Sequence, residues 1–278
     1  MGKETVLCSA GPFKRSEIAD HEDLFLGSPV VKDGDRVIIV DCTSPDRTGD
    51  LEPFLAGLPW ALIDHHRTGD CSAAGGLFFV NDSAPSTTFL VLQLIDALGL
   101  EPTLEEAEFL FFGLCTDTGF FRHVNAGGAE AFEMAARLVR IGANPKAAFS
   151  AIHGGKSLGS RKLLGHVLSR AESYFDGKLV ISSEEYEDTC RFGLEGRDSD
   201  SLYQLLQSVS GVEAVVIIRQ ETSEYCTVGF RSLSRVDVGS IAASFGGGGH
   251  KNAAGLKIEG TIPSIKPKIM DVFEKIFG

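Results

Sequence analysis

Asp64-His65-His66 follows a short apolar run over 60–63. A carboxylate and two imidazoles delivered where a strand stops are the parts of a divalent-metal site. Two further carboxylates stand in comparable places. Asp41 follows the β-branched run 36–40, and Asp117 follows an apolar helical stretch. In open α/β sheets, ligands bind in the crevice at the carboxyl ends of the strands, where residues distant in sequence converge. Gathering these groups without a cation carries a heavy repulsion and desolvation cost. A mixed set of carboxylate oxygens from Asp41, Asp64 and Asp117 and imidazole nitrogens from His65 and His66 favours manganese and tolerates magnesium, zinc or cobalt. A lone Asp after a strand is more often a cap or a turn residue. The consecutive Asp-His-His carries more weight, because two imidazoles beside a carboxylate are an unusual choice for a core.

A second constellation lies far downstream: Gly246-Gly247-Gly248-Gly249-His250, then Lys251-Asn252-Ala253-Ala254-Gly255. Small residues on both sides let a backbone approach a ligand closely. The expectation is a flexible loop in which Gly247, Gly248 and Gly249 expose N–H groups as an anion nest, with His250 beside it. Arg231-Ser232 closes a strand-like run and offers a guanidinium fork suited to phosphate. Taken singly, a glycine run is equally a plain turn and an arginine equally an ordinary surface ion pair.

The elements that must hold these residues can be read from periodicity. Runs 36–40, 60–63 and 77–80 predict short buried strands. Ser86 predicts the N-cap of a helix closed by Gly99, and Thr103-Leu104-Glu105-Glu106 is a capping box opening another, to about Cys115. A third helix covers 129–141, with Gly142 as its stop. Strands alternating with helices predict a mostly parallel sheet flanked by helices. The character changes after Ser157, where one long helix is expected over 158–174. Strands at 178–181, 212–219 and 225–230, a short helix at 237–244 and a closing amphipathic helix at 262–277 complete a smaller α/β domain. The expected division is 1–156, a connector helix at 157–175, and 176–278.

The chain has 278 residues, 43% apolar and 23% charged, with a formal net charge of −12. That acidity argues against an electrostatic grip on long duplex nucleic acid, which needs a basic footprint. A small anionic substrate is compatible with it, because local arginines and metal ions can outweigh the global field. Six scattered cysteines without a CxxC pair read as free thiols of a reducing compartment. No secretory leader or bilayer-spanning run is apparent, so the cytosol is the expected location and no membrane contact is expected.

Val40-Asp41, Asp64-His65-His66, the stretch 113–121 around Asp117, and Phe230-Arg231-Ser232 leading into 246–255 occur in one order across nearly the whole chain. In this the sequence resembles the DHH phosphoesterase superfamily with a C-terminal DHHA1 domain, and within it the bifunctional oligoribonuclease/pAp phosphatase (nanoRNase) family. The resemblance implies a DHH domain followed by a DHHA1 domain, with the active site in the cleft between them. It implies that Asp41 bridges two metal ions and that His65 and Asp117 complete the shell of one. By the same likeness Asp64 orients the neighbouring imidazole and His66 faces the substrate phosphate. Arg231, Ser232, Gly247, Gly248, Gly249 and His250 then hold the other end of the substrate. The implied reaction is manganese-dependent hydrolysis of phosphodiesters or phosphomonoesters, magnesium being the alternative ion. The implied substrates are short RNA or a small phosphorylated nucleotide such as 3′-phosphoadenosine 5′-phosphate.

The family's opening His-x-x-x-Asp-x-Asp segment has no counterpart here. Asp20-His21-Glu22-Asp23 is the nearby acidic cluster, in a different order. The expectation is a DHH domain lacking its first strand and helix. The metal is then held by Asp41, His65 and Asp117, and an uncovered strand is open to pairing, a homodimer included. Two rivals follow: a nucleotide-binding module without catalysis, or another superfamily hydrolase acting on pyrophosphate, polyphosphate or a cyclic dinucleotide.

Overall fold

A computed structural model describes residues 4–13, 16–19, 21–42, 44–66 and 76–278. Asp20 and Cys71 lie outside the described residues. The chain forms two compact units, Met1–Gly155 and Lys156–Gly278.

In the first unit, a single helical turn α1 (Ser16–Ala19) precedes the three expected strands, β1 (Val37–Val40), β2 (Trp60–Asp64) and β3 (Leu77–Val80), and another, α2 (Glu52–Leu55), lies in the connection from β1 to β2. They pair in parallel in the order β1-β2-β3, with Val40 opposite Ile63 and Asp64 opposite Val80. The register brings the carboxyl ends of β1 and β2 level. Asp41 and Asp64 therefore emerge at one edge. The connection to α3 (Thr87–Ala97) starts at Ser86, whose hydroxyl accepts from the Phe89 N–H as an N-cap. Leu90 of α3 packs on Ile63 and Ala84, which fixes the start of the helix over the tip of β2.

Helix α4 (Leu104–Asp117) opens with the predicted capping box, Thr103 and Glu106 satisfying each other's backbone N–H groups. It runs past Cys115, so Asp117 is its last residue rather than part of a released loop. The extra turn is held by the Thr118 N–H and hydroxyl, both donating to the Leu114 carbonyl. Helices α5 (Ala129–Ile141) and α6 (Pro145–His153) complete this unit. Leu110, Leu114, Met134 and Leu138 interlock in their shared core.

The second unit begins with α7 (Leu158–Ser169), β4 (Glu172–Tyr174), β5 (Leu179–Glu184), α8 (Tyr186–Phe192) and α9 (Ser199–Gln207). Then come β6 (Ala214–Gln220), β7 (Tyr225–Ser232), α10 (Val238–Ser244), β8 (Gly248–His250), β9 (Ala253–Glu259) and α11 (Ile262–Phe277). The six strands form one sheet, ordered β4-β5-β6-β7-β9-β8 and antiparallel except for β5 with β6. One face packs on α10 and α11 through Phe230, Ile265, Ile269 and Phe273. The other packs on α7 and α9 through Val167, Val215, Ile217 and Tyr203.

The single helix expected over 158–174 is therefore not formed. It stops at Ser169, and 172–174 pairs antiparallel with β5 instead. Ladder pairing outweighs the local helical pattern there. Leu163 and Val167 bury into the second unit's core, so α7 belongs to that unit rather than standing free as a connector. Among the described residues no helix is long and apolar enough to cross a membrane.

Candidate metal centre and phosphate-binding face

At the strand tips of the first unit, His65 Nε2 lies 3.8 Å from Asp41 Oδ1 and 3.7 Å from Asp117 Oδ2. The other ring nitrogen, Nδ1, faces the Ala84 carbonyl at 3.4 Å. A carbonyl only accepts, so that contact assigns the proton to Nδ1 and leaves the Nε2 lone pair toward the carboxylates. A lone pair facing two carboxylate oxygens is repulsive unless a proton on Nε2 or a metal ion stands between them. Asp117 feels the same frustration. Burial, then the Asp41 charge, pushes its carboxyl above the usual carboxylate range, only partly offset by the imidazoles and the Thr87 N–H. The chemistry of this donor set, two carboxylates and an imidazole nitrogen, suits a divalent ion. His66 is near enough to share it, the donor atoms of Asp41, His65 and His66 all lying within 4.8 Å of one another.

Asp64 does not join the donors. It is fully buried, and its Oδ1 accepts from both the backbone N–H of His66 at 3.0 Å and His66 Nδ1 at 2.8 Å. The contact orients the His66 ring and turns its Nε2 away from Asp64. The Asp64 hydrogen bond holds the His66 ring above its ordinary pKa, against some desolvation and with help from the charges of Asp64, Asp41 and Asp117. In metal-free protein, NMR titration is expected to show His66 protonating above the usual histidine value, and Asp64→Asn to bring it down. An unchanged His66 titration in that variant would contradict the coupling.

Thr87 is a member of this site that sequence reasoning did not find. Its hydroxyl donates to Asp41 Oδ1 at 2.7 Å, and its backbone N–H points at Asp117. As the first residue of α3 it brings the positive end of that helix to the two carboxylates. The Ser86 N-cap was legible, but the aim of the next residue, Thr87, at Asp41, 46 positions upstream, and at Asp117 downstream was not. Because outer-shell partners typically contribute 10–100-fold in metal affinity, Thr87→Val is expected to weaken divalent-ion binding by about that factor at nearly constant volume. Calorimetry reads it, and undiminished affinity would refute it. Asp41 itself sits in the left-handed region at φ +55°, a conformation that Asp and Asn tolerate better than most residues.

In the second unit, the polyglycine stretch departs from the expected flexible loop. Gly248–His250 is strand β8, paired antiparallel with β9 so that His250 faces Ala253 and Gly248 faces Gly255. The glycines answer to packing against their own neighbours. A Cβ on Gly247 would come 2.4 Å from Leu256 Cβ, and one on Gly249 2.5 Å from the Ala253 carbonyl oxygen. Gly248 is open, with nothing within 4 Å of such a Cβ. Residues paired across a sheet share a face, so Arg231, Ala253 and His250 form one row. That row joins the guanidinium to the imidazole on one surface, with exposed His250 at its outer end.

Ser232 is not on that surface. As the next residue of β7 it turns to the opposite face, is 4% exposed, and donates its hydroxyl to the Val236 carbonyl at 2.7 Å. The alternation of a strand separates it from Arg231. Its role is to secure the turn after β7, a correction to the expected substrate-binding pair.

A family profile described as the DHHA1 domain matches residues 176–278. The bifunctional oligoribonuclease and PAP phosphatase NrnA of Thermus thermophilus is 33% identical over 229 residues, 82% of this chain and 66% of that protein. The cyclic-di-AMP phosphodiesterase PdeA of Listeria monocytogenes is 24% identical over 231 residues, 80% of this chain and 33% of that protein. The chain thus spans just under two thirds of the first and one third of the second. Among solved structures, an exopolyphosphatase-related protein from Bacteroides fragilis superposes with a TM-score of 0.70 at 24% identity, covering 87% of this chain and 70% of that one. With the Asp-His-His strand tip in the first unit and the matched domain in the second, the chain belongs to the DHH phosphoesterase superfamily, in the group that carries a DHHA1 domain.

Proposed function

We propose that this protein is a metal-dependent phosphoesterase acting on short oligoribonucleotides and on 3′-phosphoadenosine 5′-phosphate. The observation that carries the reading is the convergence of Asp41 and Asp117 on Nε2 of His65, 3.7–3.8 Å away. The names of the Thermus and Listeria relatives support phosphoester chemistry on small nucleotides.

Asp41, His65 and Asp117 would hold the ion, manganese being the match to two carboxylates and one imidazole, and magnesium the alternative. A divalent ion there supplies Lewis-acid polarisation of phosphoryl oxygens and a lowered pKa for water. The chain's own residues do the rest. Thr87 holds Asp41 in place. Asp64 keeps the His66 ring oriented and protonated at Nδ1, leaving Nε2 to meet the substrate. A His66 held in its charged form can donate a proton to the departing oxygen. Arg231 and His250, in one row of the second unit's sheet, offer cationic and hydrogen-bonding groups to a phosphate.

The test is release of mononucleotide from a short RNA, and of inorganic phosphate from 3′-phosphoadenosine 5′-phosphate, with manganese titrated against chelator. Turnover that requires the ion and is lost in His65→Ala supports the reading. Equal turnover in chelator, or in that variant, would falsify it.

A further inference from the structure

Arg231 has no ion pair with a carboxylate among the described residues. Among the described residues its contacts are a hydrogen bond from Nη1 to the Phe230 carbonyl at 3.0 Å and the ring of Tyr203, whose centroid lies 4.5 Å from the guanidinium carbon. Tyr203 is 4% exposed and belongs to the buried face of α9, with Leu202 and Leu206. It packs on Val215 and Ile217, the cross-strand partners of Arg231 and Gly229. The ring thus lies along the row of β7 residues that ends in Arg231.

Gly229 shows how closely the ring is held. A Cβ built there would come 2.1 Å from the Tyr203 hydroxyl oxygen and 3.3 Å from the ring carbon bearing it. The phenol occupies the space of the missing side chain. One end of Tyr203 is therefore pinned on the strand two residues before Arg231, and the face of its ring lies under the guanidinium. Stacking of this kind leaves the in-plane N–H donors of arginine free for an anion, whereas a salt bridge would occupy them.

We propose that Tyr203 is a positioning residue for Arg231, setting where the guanidinium meets the phosphate of a nucleotide substrate. This rests on the reading of the Arg231 face as a substrate-binding surface. The bland alternative is a core tyrosine that merely fills volume.

Steady-state kinetics on a short RNA with manganese, with thermal melts of every variant, separate the two. Arg231→Ala raises KM if the surface binds substrate. Tyr203→Leu, which removes the ring, is expected to raise KM about five-fold, since an exposed or partly buried cation–π contact contributes on the order of 1 kcal/mol. Its kcat per folded molecule holds. The conservative Tyr203→Phe keeps the ring and restores the wild-type KM. Gly229→Ala displaces the hydroxyl and raises KM in the parent protein, and Tyr203→Phe/Gly229→Ala relieves the clash and brings KM back. A purely structural tyrosine gives a lower melting temperature and a lower active fraction with KM unmoved, which overturns the proposal. So does a Gly229→Ala effect of equal size with and without the hydroxyl. Raised KM in Arg231→Ala beside wild-type KM in Tyr203→Leu overturns this proposal alone. Unchanged KM in Arg231→Ala overturns the substrate-binding reading as well.

Discussion

Asp41→Asn is expected to reduce metal-dependent turnover by about 10³-fold, equivalent to about 4 kcal/mol of transition-state stabilisation. Asparagine is the informative replacement for three reasons. It tolerates the left-handed backbone that Asp41 adopts at φ +55°, so the strand tip need not rearrange. Its carbonyl oxygen can still accept the 2.7 Å hydrogen bond from Thr87. It removes only the charge, which is what a divalent ion shared with His65 and Asp117 requires. Loss of that charge also lifts the repulsion on Asp117, whose raised carboxyl pKa should move back toward the ordinary range. The variant should therefore fold and melt as the parent does, bind manganese more weakly by calorimetry, and turn over slowly even at saturating ion. Parent-like turnover in a well-folded Asp41→Asn would remove the carboxylate from the chemistry and leave His65 and Asp117 as a partly exposed polar pair without an ion.

How much of this was legible without coordinates differs between the two units. In the first, each strand ends at the residue predicted or one beyond it, because β-branched runs bounded by Asp, Gly or Pro signal strands locally. The meeting of Asp41 with the Asp64-His65-His66 tip followed from parallel strands, whereas Asp117, at the end of a helix, was tied to them through the family resemblance. Thr87 followed from neither, because nothing local to it says which distant carboxylates its helix will face. In the second unit the errors share a cause. Gly248 and Gly249 have no β-propensity of their own and become a strand only because β9 is there to pair with them. Residues 172–174 likewise leave their helical pattern for the edge of β5. Ser232 was read with Arg231 as one motif, although alternation along β7 sends neighbours to opposite faces. A charge network around Glu184 was missed altogether, because its members are scattered over 184–221.

That network is where a single substitution is expected to cost most stability. Glu184 is 1% exposed. Its Oε1 accepts from Arg197 Nε at 2.7 Å and from the Thr189 hydroxyl at 3.0 Å, and its Oε2 accepts from Arg219 Nε at 3.1 Å. Arg197 also forks onto both oxygens of Glu221, at 3.1 and 3.0 Å. Glu184→Ala leaves two half-buried guanidiniums facing each other across the space of their shared counter-charge. Removing one partner of a buried ion pair costs about 3–5 kcal/mol, against a total stability of about 5–15 kcal/mol for a typical domain. Glu184→Gln, which keeps an acceptor, should cost less. Acid should mimic the loss in part. Burial raises the Glu221 carboxyl, but the Arg197 hydrogen bond and charge more than reverse this and hold it below the ordinary range. A depressed folded pKa means that the ion pair contributes fully above the unfolded value of about 4.3 and is lost as pH falls through the folded one. The sole tryptophan, Trp60, lies in the first unit, so its fluorescence follows that unit. Hydrogen exchange of the β5 and β6 amides follows the second. Glu184→Ala should sharply lower protection in β5 and β6 while Trp60 unfolds at its parent midpoint. Undiminished protection there would mean that water replaces Glu184 around the two arginines without loss, and that the sheet is held by its apolar faces alone.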